Sequence, residues 1–217
     1  MPATATKYDT LADVLHALGD IPPDRILWNP FPGSATEADQ VRFVDRDKRL
    51  VELLDGILVE KAMGYRESLM ALTLAGYLMT FVKPRRLGVI AGADAIMRMR
   101  DGRNRLPDVS FTAWENVPTS DAHLQSVADF APDLAVEVLS DGNTKSEIAR
   151  KREDYFAAGT QLVWIVEPDD RTVAVYTDPD TFTLLNEADT LTGGGVLPGF
   201  ELPLAEFFND HQLQPKA

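Results

Sequence analysis

Residues 133–168 read DLAVEVLSDGNTKSEIARKREDYFAAGTQLVWIVEP, and the reading of this stretch decides the fold class. "DLAVEVLS" (Asp133–Ser140) alternates as a strand does, and "QLVWIVEP" (Gln161–Pro168) is a second apolar run of strand length. Between them lies a helical segment, "TKSEIARKREDYFAAG". It stops at Gly159, the residue type that most readily closes a helix in the left-handed conformation. Strand, helix and strand in that order form a crossover, the connection that parallel strands require. One residue does not suit a plain core strand. Glu137 stands among Leu134, Ala135, Val136, Val138 and Leu139. A buried carboxylate must be paired, ligate a metal or take up a proton. The alternative is an edge strand that turns Glu137 to water.

Working outward, "RLVELLDGILVEKA" predicts two strands joined at Asp55-Gly56, a strong short-range hairpin signal. "GYRESLMALTLAGYLMTFVK" predicts a helix ending before Pro84, because proline removes a backbone donor and clashes with the preceding turn. "LGVIAGADAIMRMR" offers one or two strands, and "RLPDVSFTAW" and "TVAVYTD" one each. A glycine-rich turn and "LPGFELPLAEFF" follow. Near the N-terminus, residues 9–18 read as a short helix with Leu11, Val14, Leu15 and Leu18 on one face. Residues 21–36, rich in Pro, Gly and Asn, read as an ordered loop. Hairpin, helix, strands, helix and strands describe an α/β (α+β) protein, a central mixed sheet with helices on its faces. The expected organisation is one domain over 1–217, with a core at 50–200 and an N-terminal helix-and-loop extension at 1–40.

Composition narrows the class. An apolar fraction of 45% is that of a globular chain. The absence of cysteine excludes disulfides and cysteine-ligated metal, and fits a cytoplasmic location. The N-terminus lacks the basic flank and apolar run of a signal peptide. The weakly polar run Leu69–Val82 is too short to span a bilayer, which takes about 20 residues. A net charge of −13 argues against a general nucleic-acid coat, whose affinity comes from neutralising phosphates. A local basic groove is compatible with it. Arg98, Arg100, Arg103 and Arg105 form one basic cluster just before Asp108, and they are expected to border the same cleft and bind phosphates, or else to form a solvated face. Trp164, Tyr155 and Phe156 read as core. His16, His123 and His211 have no metal-ligand spacing, and "TGGGVLPGF" lacks the Lys-Ser or Lys-Thr of a phosphate loop.

Asp108, after Pro107, opens a strand segment, and taken alone it reads as a turn residue. With Glu137 it makes a pair of carboxylates on strands of one plausible sheet. Lys151 lies in the helix that follows the Glu137 strand. Two carboxylates can hold a hard divalent cation through oxygen. A lysine beside them can position water or balance charge on a phosphate. Lys151 also has a plain reading as an i,i+4 surface partner of Glu147.

The stretches "VELLDGILVEKAMGYRES", "LPDVSF", "DLAVEVLS", "NTKSEIARKREDYFAAG", "LVWIVEPDDRTVAVY" and "VLPGF" together resemble a prokaryotic family of restriction-endonuclease relatives within the PD-(D/E)XK nuclease superfamily. The resemblance runs from about Val51 to Phe200. It implies a restriction-endonuclease-like core, with Asp108 and Glu137 as metal ligands. Leu139 stands where the superfamily places its lysine, two residues after the glutamate, and the resemblance implies that Lys151 takes over that role. A further acid is expected from the first core helix, Glu67, with Glu52 of the preceding strand as the other candidate.

The expected function is therefore a metal-dependent endonuclease that hydrolyses DNA phosphodiester bonds. Mg2+ or Mn2+ would sit between Asp108, Glu137 and the carbonyl of Val138, and Lys151 would orient the attacking water. A homodimer is expected by analogy with nucleases that cut both strands. The other reading is a nuclease-fold binding or assembly protein with weak or no catalysis.

Overall fold

The hairpin at Asp55-Gly56 forms as the dipeptide dictates: both residues have positive φ, 52° and 83°, which suits the tight turn between β1 (Val51–Leu54) and β2 (Ile57–Glu60). A computed structural model describes residues 8–119, 121 and 125–210; His123 and His211 lie outside these. The remaining strands are β3 (Gly88–Gly92), β4 (Ile96–Arg100), β5 (Arg103–Arg105), β6 (Val109–Ala113), β7 (Val127–Ala128), β8 (Leu134–Val138), β9 (Leu162–Glu167), β10 (Thr172–Tyr176), β11 (Phe182–Asn186), β12 (Thr190–Gly193) and β13 (Leu197–Pro203). The helices are α1 (Leu11–Leu18), α2 (Glu37–Asp45), α3 (Tyr65–Arg85), α4 (Lys145–Ala158) and α5 (Leu204–Asn209).

A six-stranded mixed sheet, in the order β11-β10-β9-β8-β6-β3, is the centre of the fold. Its parallel pair is β8 with β9, joined through α4, so the crossover read from residues 133–168 is present. A second sheet has the order β2-β1-β5-β4-β7, and β12 and β13 pair with each other. Alternation sorts the side chains of β8. Leu134, Val136 and Val138 join Met70, Leu74 and Leu78 of α3 in one apolar cluster, while Ala135 packs with Ile148 and Tyr155 of α4. Met97 and Met99 of the second sheet close on α4 from its other side, and Phe43 and Val44 of α2 cover that sheet's far face. The layers are thus α3, central sheet, α4, second sheet and α2.

Three expectations change. The helix α3 runs past Pro84 to Arg85, because the proline falls in the last turn, where one lost backbone bond costs little. The helix α2 was not anticipated; its start is marked by a reciprocal cap, Thr36 with Asp39. The segment 21–36 holds a short 3-10 turn, Pro23–Arg25, and Ile26 forms a bridge with Val59.

The N-terminal helix is anchored close to the site. Gly19 follows α1 with φ 88°, and a Cβ there would come within 2.5 Å of the Glu147 backbone, so only glycine fits this approach to the start of α4. Thr144, the N-cap of α4, donates its hydroxyl to the Gly19 carbonyl. Arg25 then reaches both carboxylate oxygens of Glu147, at 2.9 and 2.7 Å.

Candidate active site

β6 and β8 are antiparallel with Val109 opposite Val136, which puts Asp108 opposite Glu137 one step on. Residues directly opposite share a face of the sheet. Val109 and Val136 fill the α3 side, so Asp108 and Glu137 both point to the α4 side. They are 3% exposed each. The Glu137 strand is central rather than an edge, flanked by β6 and β9, so the solvent-facing reading of Glu137 is excluded.

Every carboxylate oxygen of the pair is in contact with protein. Glu137 Oε2 accepts from Lys151 Nζ at 2.9 Å, and its Oε1 accepts from the Tyr155 hydroxyl at 2.5 Å. Asp108 Oδ2 accepts from the Val138 amide at 2.6 Å. Asp108 Oδ1 lies 2.6 Å from Lys61 Nζ, a fully buried ion pair. Lys61 Nζ also donates to the Leu106 carbonyl.

The second sheet contributes the opposite wall. Glu52 of β1, 1% exposed, lies 3.3 Å from Lys151 Nζ and accepts from Arg105 at 2.7 Å and from the Leu106 amide. Arg105 also binds Asp154 of α4. Lys151 thus bridges a carboxylate of each sheet, and Glu147, Lys151 and Tyr155 form one i, i+4, i+8 stripe on α4.

These neighbours set the protonation. Burial alone would raise Glu52, but Lys151, Arg105 and Lys61 outweigh it and hold the carboxyl down at about 2. Burial pushes Glu137 above the usual carboxylate range; Lys151 and Lys61 pull it back, while Asp108 and Glu52 add to the rise. Burial would lower Lys151, yet Glu137, Glu52 and Glu147 together hold its ammonium above the ordinary lysine value. Burial raises the Tyr155 hydroxyl well above its usual range, and the Glu137 charge raises it further, so it stays a hydrogen-bond donor to that carboxylate.

The sequence-predicted residues divide. Asp108, Glu137 and Lys151 come together, and of Val138 it is the amide, not the expected carbonyl, that contacts Asp108. Lys151 turns inward rather than pairing with Glu147, which is taken by Arg25. Of the two additional acids, Glu52 is in the cluster. Glu67 is not in contact with it: Glu67 sits in the first turn of α3 and its Oε2 accepts from the Gly64 amide at 2.9 Å. Glu67 lines an open cleft of about 620 Å³ instead, with Ala62, Met63, Ser140, Asp141 and Glu167 among its other walls. The arginines change most. Arg98 binds Glu37 and Asp129, Arg100 binds Asp55, Arg103 binds Asp55 and Asp154, and Arg105 is buried against Glu52 and Asp154. Partners from distant segments neutralise the basic cluster internally. Arg105, expected at the cleft as a phosphate contact, is in the cluster as a partner of Glu52 and Asp154, while Lys61 and Tyr155 belong to it without having been singled out; a lysine directly after a buried strand, in "LVEKA", was the available signal for Lys61.

The central mixed sheet flanked by helices is that of a restriction-endonuclease-like fold. The Uma2 family model, described as "Putative restriction endonuclease", matches residues 37–205, and the chain belongs to that family. Among solved structures, the chain is similar to a protein of Anabaena variabilis ATCC 29413 described as "a putative nuclease belonging to DUF820", at 20% identity and a TM-score of 0.66, over 73% of this chain and 89% of that one. That likeness bears on the fold. No curated protein matches the chain. Among the described residues, no helix is long and apolar enough to cross a membrane.

The oxygen donors suit a hard divalent cation in type. Among the described residues, no three Asp, Glu or His side chains group as metal ligands, so Asp108 and Glu137 would be the carboxylates and a main-chain carbonyl the further donor. The Lys61 ammonium stands at Asp108 Oδ1, so a cation taken up there would replace Lys61 as that oxygen's partner.

Proposed function

We propose that the chain is a metal-dependent endonuclease acting on DNA phosphodiester bonds. The observation that carries this reading is the facing pair Asp108 and Glu137 with Lys151 Nζ 2.9 Å from Glu137. Asp108, Glu137 and the Val138 carbonyl would hold Mg2+ or Mn2+, which when bound supplies charge for the phosphoryl oxygens and lowers the pKa of a bound water. Lys151 keeps its proton and orients the attacking water or a phosphate oxygen; Tyr155 and Glu52 fix the rotamers of Glu137 and Lys151 through their own contacts. The cleft at the ends of β8 and β9 is the approach for the substrate, since Leu139 and Ser140 on its wall directly follow the Val138 main chain. Cutting a duplex takes two such sites, which a cytoplasmic homodimer would provide.

Incubation of supercoiled plasmid and single-stranded DNA with Mn2+ tests the reading. Wild type nicks or linearises the plasmid, and Glu137→Gln at equal folded concentration does not; equal products from both proteins refute it. A nuclease-fold binding or assembly protein is the second reading, favoured by the internal pairing of Arg98, Arg100, Arg103 and Arg105. Absence of both cleavage and Mn2+ binding in either protein would support it.

A further inference from the structure

We propose that Lys61 is the internal cation of this site: its ammonium fills the place beside Asp108 that a divalent cation would take, so Lys61 must withdraw before metal binds and thereby sets metal affinity. This rests on the metal reading of the Asp108–Glu137 pair. Two carboxylates opposed across neighbouring strands, both about 3% exposed, repel unless a positive charge stands with them. Lys61 supplies that charge at 2.6 Å from Asp108 Oδ1, with both side chains 2% exposed. The contact is a close, buried ion pair, the charge that a bound cation would otherwise supply.

The two lysines of the site differ in how they are held. Lys151 is gripped by carboxylates from both sheets and lies in the middle of α4. Lys61 directly contacts one carboxylate, Asp108, and one carbonyl, with Glu137 and Glu52 acting on its charge from further off, and it follows the last residue of β2, Glu60. The next residues, Ala62, Met63 and Gly64, line the open cleft, and it is toward this cleft that the flexible four-carbon stem would withdraw. The fold therefore has one ammonium that stays and one that can yield.

The test is Mn2+ binding, followed by calorimetry on wild type, Lys61→Met and Asp108→Asn. Lys61→Met removes the charge and keeps a chain of similar length, so its Kd for Mn2+ should fall by about tenfold or more relative to wild type. Asp108→Asn should bind at least about tenfold more weakly than wild type. Lys61→Met should also show a larger rise in unfolding temperature on adding Mn2+. Because Lys61→Met leaves Asp108 buried and unpaired and could fail to fold, a second measurement uses wild type alone. Acetylation of Lys61, read by mass spectrometry, should increase several-fold when Mn2+ is present. If Mn2+ binds through Asp108 with the same Kd in Lys61→Met, or binds wild type while Lys61 stays protected, the role of Lys61 is overturned and the metal site stands. If none of the proteins binds Mn2+, both fall.

Discussion

The two faces of the central sheet are built from the same strands and do different work. Toward α3 the sheet presents Leu134, Val136, Val138, Val109, Phe111, Trp164 and Val166, an apolar surface packed on Met70, Leu74 and Leu78. Toward α4 the same strands present Asp108, Ser110, Thr112, Ala135 and Glu137, all at most 3% exposed. The first face is stabilised by apolar burial, which is non-directional and tolerant of repacking. The second combines apolar packing of Ala135, Val163 and Ile165 on α4 with charges that stabilise only while each keeps its partner, because a buried charge left alone is strongly destabilising. A strand with period two can therefore assign folding to one face and chemistry to the other, at adjacent residues.

The largest effect should come from Lys151→Ala. Sequence reasoning predicts a variant that keeps its fold and loses cleavage. The structure changes the first half: Lys151 is 1% exposed and neutralises Glu137 and Glu52 together, so removing it should cost about 3–5 kcal/mol of stability as well as about 100-fold in cleavage. Urea unfolding and plasmid nicking on the folded fraction check both. Unchanged stability would mean that the second face does not depend on its charge pairs.

Trp164→Ala should cost a similar 3–5 kcal/mol for a different reason, the cavity left where a fully buried ring stacks on Phe200. Mn2+ affinity of the protein that remains folded should stay within about twofold of wild type, since the ring faces away from the carboxylates. A parallel loss of metal binding would break the separation of the faces.

How far this division was legible from sequence depends on the range of the interaction. The crossover from β8 through α4 to β9, the Asp55-Gly56 hairpin and the odd glutamate in an apolar strand are local patterns, and all could be read. Asp108 and Lys151 entered through their placement, on a strand of the same plausible sheet and in the helix after the Glu137 strand, and the resemblance of the matching stretches then implied their roles. What could not be read is who partners whom across the two sheets. Arg105 meets Glu52 and Asp154, and Arg98 meets Glu37, over separations of dozens of residues, so a basic cluster in sequence is neutral in space. Tyr155 shows the same limit. Its apolar neighbours mark it as core, and only the fold reveals that its hydroxyl ends on Glu137. The unanticipated α2 has a weak apolar pattern, and only its Thr36–Asp39 cap announced it.

Acid should separate two carboxylates that share one face. Glu52 has its carboxyl held at about 2, below its ordinary value, so its ionised form stabilises the fold above about pH 4.5 and this contribution is lost as pH falls toward 2. Glu137 is raised by burial, so its ionisation opposes folding as pH rises and acidification relieves it. At neutral pH, Glu52→Gln should therefore destabilise by a few kcal/mol and Glu137→Gln by less. Between pH 7 and pH 3, wild type should lose stability more steeply than Glu52→Gln and less steeply than Glu137→Gln. Denaturant midpoints at the two pH values give the order, and a reversed order would show that the partners have been assigned to the wrong carboxylates.

The smallest effect should come from Glu67, the acid that sequence reasoning favoured over Glu52. Its carboxylate accepts from the Gly64 amide at the start of α3 and faces the open cleft rather than Lys151. An acid in a first turn stabilises the helix by satisfying an end amide and by meeting the positive end of the helix dipole. Both contributions are modest where water competes, so Glu67→Ala should cost about 0.5–1 kcal/mol. If the chemistry belongs to the sealed face, Mn2+ affinity should be unchanged in Glu67→Ala while Glu137→Gln loses it. Should Glu67→Ala weaken Mn2+ binding as much as Glu137→Gln does, the working site would extend into the cleft. Glu67 would then be the additional ligand that Glu52, locked between Arg105 and Lys151, is not free to be.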